Sequence, residues 1–237
     1  MVSPKRPRED TYEVLPSNSK RLCFATDSSI IPIIVSPIKI KFLVHETILS
    51  RFKWFKACLK PGLKEHEEKK IDLPEEDPAA IAIIIEWMYA KIVRPDRNDI
   101  KELANGYIAA DKYSMPELAN AIMDQIRLSA YRTVDGQRIH IIAPPAWLQQ
   151  IWPNTSEGSP LREYALDYLH YSMSVAPDLY RSEESLSARL LKTKMMEDGE
   201  IGLELLWYFA DVGRAVQNPS KQVGCYYHVH EEGGRCK

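Results

Sequence analysis

From Ile30 onward the chain switches between two hydrophobic rhythms, one of period two and one of three to four residues. Ile31, Ile33, Ile34 and Val35 make a short β-branched run, closed as a turn by Ser36 and Pro37. Ile38, Ile40, Phe42 and Val44 then alternate with Lys39, Lys41 and Leu43, the pattern of a strand with one buried face. Together the two runs predict a β-hairpin. After His45 the period lengthens: Ile48, Leu49, Phe52, Phe55 and Leu59 fall at helical spacings until Pro61 and Gly62, which predicts two short helices broken near Arg51. The charged segment from Lys64 to Lys69 reads as a loop before a third short strand at Ile71 and Leu73, ended by Pro74. Between Ala79 and Tyr89 apolar side chains point in nearly every direction, so this helix is expected to be central and buried rather than amphipathic.

Residues 98–113 place Ile100, Leu103, Tyr107 and Ala110 on one helical face, and residues 115–130 do the same with Leu118, Ile122, Ile126 and Ser129. They predict a helical hairpin, with Ser114 as the cap of the second helix and Pro116 inside its first turn. Residues 133–159 read as irregular, interrupted by Pro144, Pro145, Pro153 and Gly158. Helical patterning resumes at Leu161 to Leu169, at Leu186 to Leu191 and at Ile201 to Val216. The second half is therefore expected to be all-helical, with no sheet of its own. No internal repeat of fixed period is visible.

The same residues, in the same order, resemble the BTB/POZ family, particularly its fungal members. Phe42 to Leu49 match the family's strand-to-helix passage and Phe55 to Leu59 its next helix. Glu65, Ile71, Leu73, Pro74, Glu75 and Asp77 match its loop and third strand; Trp87, Met88 and Tyr89 match a helix ending. Ala109, Asp111, Lys112 and Tyr113 look like its "Ala-Asp-Lys-Tyr" helix, and Asn154 to Arg162 resembles a stretch common in the fungal group. The chain departs from many animal members at Ile30 to Pro32, where those carry an Asp, and at Phe52, where Ser is usual. These positions shape the charged pocket and dimer surface of transcription-factor members, so the repressor-type peptide groove is not carried over.

The resemblance implies an α+β fold of short strands with surrounding helices, followed by an all-helical C-terminal extension. The organisation expected is a flexible basic tail at 1–28, a BTB/POZ domain at 29–132, a helical extension at 133–222 and a Cys/His-containing tail at 223–237. It also implies protein partners, with homo-oligomerisation among the expectations.

Composition narrows the function. The chain has 237 residues, 45% hydrophobic and 27% charged, with a formal net charge of -2, so nothing global attracts nucleic acid or an anionic membrane. No helical segment is strongly basic and no apolar stretch approaches the ~20 residues of a membrane span. The first residues leave no room for a secretory leader, and the four cysteines make no disulfide framework, which points to a reducing compartment, cytoplasm or nucleus. Residues 1–28 mix prolines and charges without apolar periodicity. Within them Lys5, Arg6 and Arg8 form a cluster that reads either as a nuclear import signal or as a solvated tail.

Candidate chemistry is sparse. His45 sits at the strand-to-helix junction with no Ser, Cys or paired carboxylate spaced to work with it, and the family resemblance implies a packed residue that holds that junction. Glu75, Glu76 and Asp77 precede a helix, where negative charge offsets the N-terminal dipole. There is no glycine-rich phosphate loop and no metalloprotease helix, so no enzyme and no required cofactor is expected. Leu63, Lys64 and Glu65 resemble the hydrophobic-any-Glu motif of cullin-binding BTB proteins, which implies an apolar contact from Leu63 and a loop fixed by Glu65; a solvated turn is the plain alternative. Near the end, Cys225, His228, His230 and Cys236 form a C-x2-H-x-H-x5-C array. In an extended chain the two histidines point to one side, so the four residues can supply tetrahedral ligands to a structural zinc ion, or remain reduced tail residues.

Overall fold

The computed structural model describes residues 29–94, 99–134, 137–140, 147–197, 199–210 and 216–230. Its first half is built on a three-stranded mixed sheet. Strand β1 (Ile30–Val35) lies in the centre, antiparallel to β2 (Ile40–His45) and parallel to β3 (Ile71–Leu73), in the order β2-β1-β3. The hairpin turn is tight: Ser36 and Lys39 both take left-handed backbone, and the Lys39 amide donates to the Ser36 carbonyl at 3.0 Å. Because β1 is flanked on both sides, its inward residues Ile31, Ile33 and Val35 lose all solvent contact. Along β2 burial deepens as the strand enters the core, from exposed Ile40 through half-buried Phe42 to fully buried Val44.

Helices α1 (Glu46–Leu49) and α2 (Lys53–Cys58) follow, broken at residues 50–52 as the spacing predicts. The expected loop at 64–69 is instead a short helix, α3 (Lys64–Glu68), closed by Lys69 in left-handed backbone. None of its residues is buried, so no apolar period marked it; a local hydrogen bond from the His66 ring Nδ1 to the Leu59 carbonyl (3.0 Å) ties it to α2. Helix α4 (Pro78–Ala90) is the central helix, with Ala80, Ile81, Ile83, Ile84, Trp87 and Met88 buried. Asp77 caps it, accepting from the Ala79 amide at 3.1 Å and, through its other oxygen, from Asn105 Nδ2 at 2.7 Å on α5 (Ile100–Lys112). Where α4, α5 and α6 (Pro116–Ser129) meet, Gly106 lets the backbones close up; a Cβ there would come within 2.8 Å of Ile83 Cδ1.

Ser114 does not cap α6. It takes left-handed backbone (φ 55°) to reverse the chain after α5, and Met115 occupies the cap position ahead of Pro116 without a side-chain acceptor. The turn between two closely packed helices needs one residue in that conformation, which leaves none free to cap.

The second half is not all-helical. β4 (Tyr131–Val134) and β5 (Gln137–His140) form an antiparallel hairpin of their own, and the expected domain boundary at 132 falls inside β4. The sequence holds the signal: Asp135-Gly136 between β-branched runs is the composition of a two-residue hairpin turn. The prolines downstream masked it. The remaining elements are α7 (Leu148–Ile151) with a 3₁₀ turn at Trp152–Asn154, α8 (Pro160–Val175), α9 (Asp178–Arg181), α10 (Leu186–Glu197), α11 (Gly199–Ala210) and a 3₁₀ turn at Pro219–Lys221. Leu161, Ala165 and Leu169 of α8 and Leu205 of α11 join the same buried core as the sheet helices. Among the described residues no helix is long and apolar enough to cross a membrane.

Candidate interaction surfaces and a Cys/His cluster

The hairpin leaves an apolar surface uncovered. Among the described residues strand β2 has no neighbour on its outer side, and Ile30 (52% exposed), Ile38 (79%) and Leu43 (62%) stand in solvent along the hairpin. An edge strand carries unpaired backbone donors and acceptors, so apolar side chains beside it make a surface suited to another polypeptide.

His45 sits at the end of β2, half-buried. Its backbone N–H donates to Tyr89 Oη at 3.0 Å and its Nδ1 lies 2.7 Å from the same oxygen, with the two rings edge to face at 5.9 Å. The phenol hydroxyl accepts from the backbone and has its own hydrogen for the ring. This pins the strand-to-helix junction to the end of α4; the sequence points to His45, whereas its partner 44 residues away could not be read from spacing.

Leu63 is 43% exposed at the start of α3, while Glu65 is half-buried one residue into it. The Glu65 carbonyl accepts from the Lys70 amide at 3.3 Å, and its carboxylate adds to burial in raising the Cys58 thiol pKa. The apolar side chain is therefore presented outward and the acid is turned in. A shallow cleft of about 250 Å³ is lined by Phe52, Trp87, Lys91 and Met115. The Lys91 ammonium lies over the Phe52 ring (4.8 Å) and the Trp87 ring (5.2 Å), so two aromatic faces are covered by a cation.

Residues 225–230 are held in place by α6 and α8. Gly224 takes left-handed backbone (φ 73°) and starts a turn that brings the His228 amide to the Cys225 carbonyl at 3.1 Å. Tyr227 is completely buried, edge to face with Tyr164 of α8, and its hydroxyl donates to Asp167 at 2.6 Å. The Asn120 side chain of α6 both donates to the Val229 carbonyl (3.0 Å) and accepts from the Val229 amide (2.8 Å). Around this anchored strand the ligand atoms of Cys225, His228 and His230 all lie within 4.8 Å of one another, each half-buried. Cys236 lies outside the described residues, as do Lys5, Arg6 and Arg8. Sequence reading found the Cys and His residues but not Asn120, Asp124, Tyr227 or Asp167, which fix them; long-range polar pairs leave no local pattern.

A second unforeseen centre is Arg162. Its side chain is buried, and it donates to the Trp152 carbonyl (2.6 Å), to the Thr155 carbonyl (2.6 Å), to Thr155 Oγ1 (3.0 Å) and to Glu204 of α11 (3.5 Å). Trp152 Nε1 donates to the same Glu204 oxygen at 2.6 Å. Two clefts lie among the described residues, one of about 520 Å³ lined by Asp124, Arg127, Tyr131, Ser220 and Lys221 and one of about 370 Å³ lined by Asp167, His170, Tyr208 and Tyr227.

A scan against protein-family models matches residues 33–129 to the BTB/POZ domain. That span runs from β1 to the end of α6, so the sheet and the helices packed on it form a BTB domain, followed by further helices after residue 130. A comparison with curated proteins returns no match.

Proposed function

We propose, from a BTB/POZ domain at residues 33–129, that the chain is an adaptor that pairs with a second copy of itself and presents a protein target through its helical extension. The family is a protein-interaction family and not an enzymatic one, so the site of action is a surface. The exposed apolar hairpin supports this reading: Ile30, Ile38 and Leu43 stand in solvent beside a strand edge that no other described strand covers, and they are costly to leave wet and productive to bury. A stable dimer covering that edge would bury at least ~1,200 Å² in total. Light scattering on the purified chain is expected to give twice the monomer mass, and Leu43→Glu with Ile38→Glu to give the monomer. A wild-type chain that stays monomeric at tens of micromolar would remove the self-pairing.

Within this reading Leu63 and Glu65 are assigned to a cullin scaffold. Support comes from the outward Leu63 and the inward Glu65 on α3. Pull-down with a cullin scaffold is expected to succeed with the wild type and to weaken at least tenfold with Leu63→Ala, a loss of about 1.4 kcal/mol. If binding is absent, or is the same with Leu63→Ala and Glu65→Ala, the cullin role is lost while the adaptor role stands. A nuclear regulator acting through recruited partners is the second reading, and the basic cluster Lys5, Arg6 and Arg8 favours it. Replacing Lys5 and Arg6 by Ala would then move the protein from nucleus to cytosol.

A further inference from the structure

We propose that Cys225, His228 and His230 bind one zinc ion, which closes the C-terminal turn that packs on α6 and α8. The claim is independent of which partner the hairpin takes.

Donor chemistry points to zinc. One thiolate and two imidazoles suit a borderline-soft ion with tetrahedral preference, and they exclude magnesium and calcium, which require oxygen. Geometry agrees with this. Zinc bonds of roughly 2.0–2.3 Å put tetrahedral ligand atoms about 3.3–3.8 Å apart. The three ligand atoms already lie within 4.8 Å of one another, so closing on an ion takes shifts of about an ångström at most.

The surroundings hold these side chains where a metal would need them. Asn120 grips both backbone polar groups of Val229, the residue between the two histidines, which fixes the backbone that carries both rings. Their centroids lie 6.1 Å apart. Buried Tyr227 anchors the turn that returns Cys225 to the histidines. Asp124 of α6 lies 3.1 Å from His228 Nε2, and the His228 side chain is only 8% exposed. A carboxylate on one imidazole nitrogen fixes the tautomer and leaves the other nitrogen for the ion, the outer-shell arrangement typical of zinc histidines. Asp124 is not among the clustered ligand atoms, which fits an outer role.

The test uses the full chain, made without a histidine tag in zinc-supplemented medium and passed over a weak chelator. Elemental analysis is expected to find about one zinc per chain, falling at least fivefold in Cys225→Ser and in His230→Ala. Cobalt(II) loaded in place of zinc reports the ligands directly: the wild type is expected to show tetrahedral ligand-field bands with a thiolate charge-transfer band, and Cys225→Ser to lack the latter. Circular dichroism of each variant separates loss of ligand from loss of fold. Less than about half an equivalent of zinc in the folded wild type, or unchanged zinc in both variants, would overturn the site.

Discussion

At the scale of single residues, one hydroxyl decides how β2 enters α1. Tyr89 Oη receives the His45 backbone N–H and faces its ring nitrogen, so Tyr89→Phe leaves both groups half-buried without that partner. A stability loss of about 1 kcal/mol is expected, read as a lower urea midpoint with unchanged slope. A change in slope would mean that the junction itself had opened. The change of period from two to helical places His45 at the junction, and its packing role follows from the family resemblance. Tyr89 was legible only as the end of a helix, since a bond across 44 residues has no local signature. The same holds for Asp77. Its place before α4 reads as a cap, but its second oxygen serves Asn105, and nothing short of the fold shows that.

Between elements, Arg162 stands in for a hydrophobic contact. It joins the 3₁₀ turn at 152–154, the loop carbonyl of Thr155 and Glu204 of α11, all from the first turn of α8. Replacing it with Ala would take the donors from the Trp152 and Thr155 carbonyls, while partly exposed Glu204 keeps Trp152 Nε1, so a loss of about 1–3 kcal/mol is expected. Arg162→Ala paired with Glu204→Gln should recover part of it, measured as a double-mutant cycle; additive losses would show that the two do not communicate. Elements with an apolar period, such as α5 and α6, were legible from spacing alone. Helix α3 was not, because all five of its residues are polar, and the β4–β5 hairpin was overlooked because its turn residues lie just before a proline-rich run.

The whole molecule is unusually dependent on buried phenols. Burial pushes Tyr107 and Tyr180 each up to about 12 and raises Tyr113, Tyr164, Tyr168 and Tyr227 further; for Tyr227 the Asp167 carboxylate adds to it. An unfolded tyrosine ionises near pH ~10. Between that value and the folded one the unfolded chain has released protons that the native chain keeps, so stability falls as pH rises. It is therefore fully present below pH ~10 and is lost progressively above it, toward and beyond about 12. Tyrosinate absorbance is expected to appear together with loss of circular dichroism; ionisation of all twelve tyrosines near pH ~10 in a folded chain would contradict this. At this scale the fold class was legible because the order of short elements is itself a pattern, whereas the way the tail closes over the domain was not.

That closure has a consequence during synthesis. Asn120 meets Val229 across 109 positions of chain. At roughly 5–20 residues per second, a ribosome takes about 5–20 s to deliver the second after the first. For that interval the BTB domain has emerged with one flank of α6 bare, so a chaperone or a neighbouring nascent chain has a timed opportunity to bind there before the protein's own end arrives.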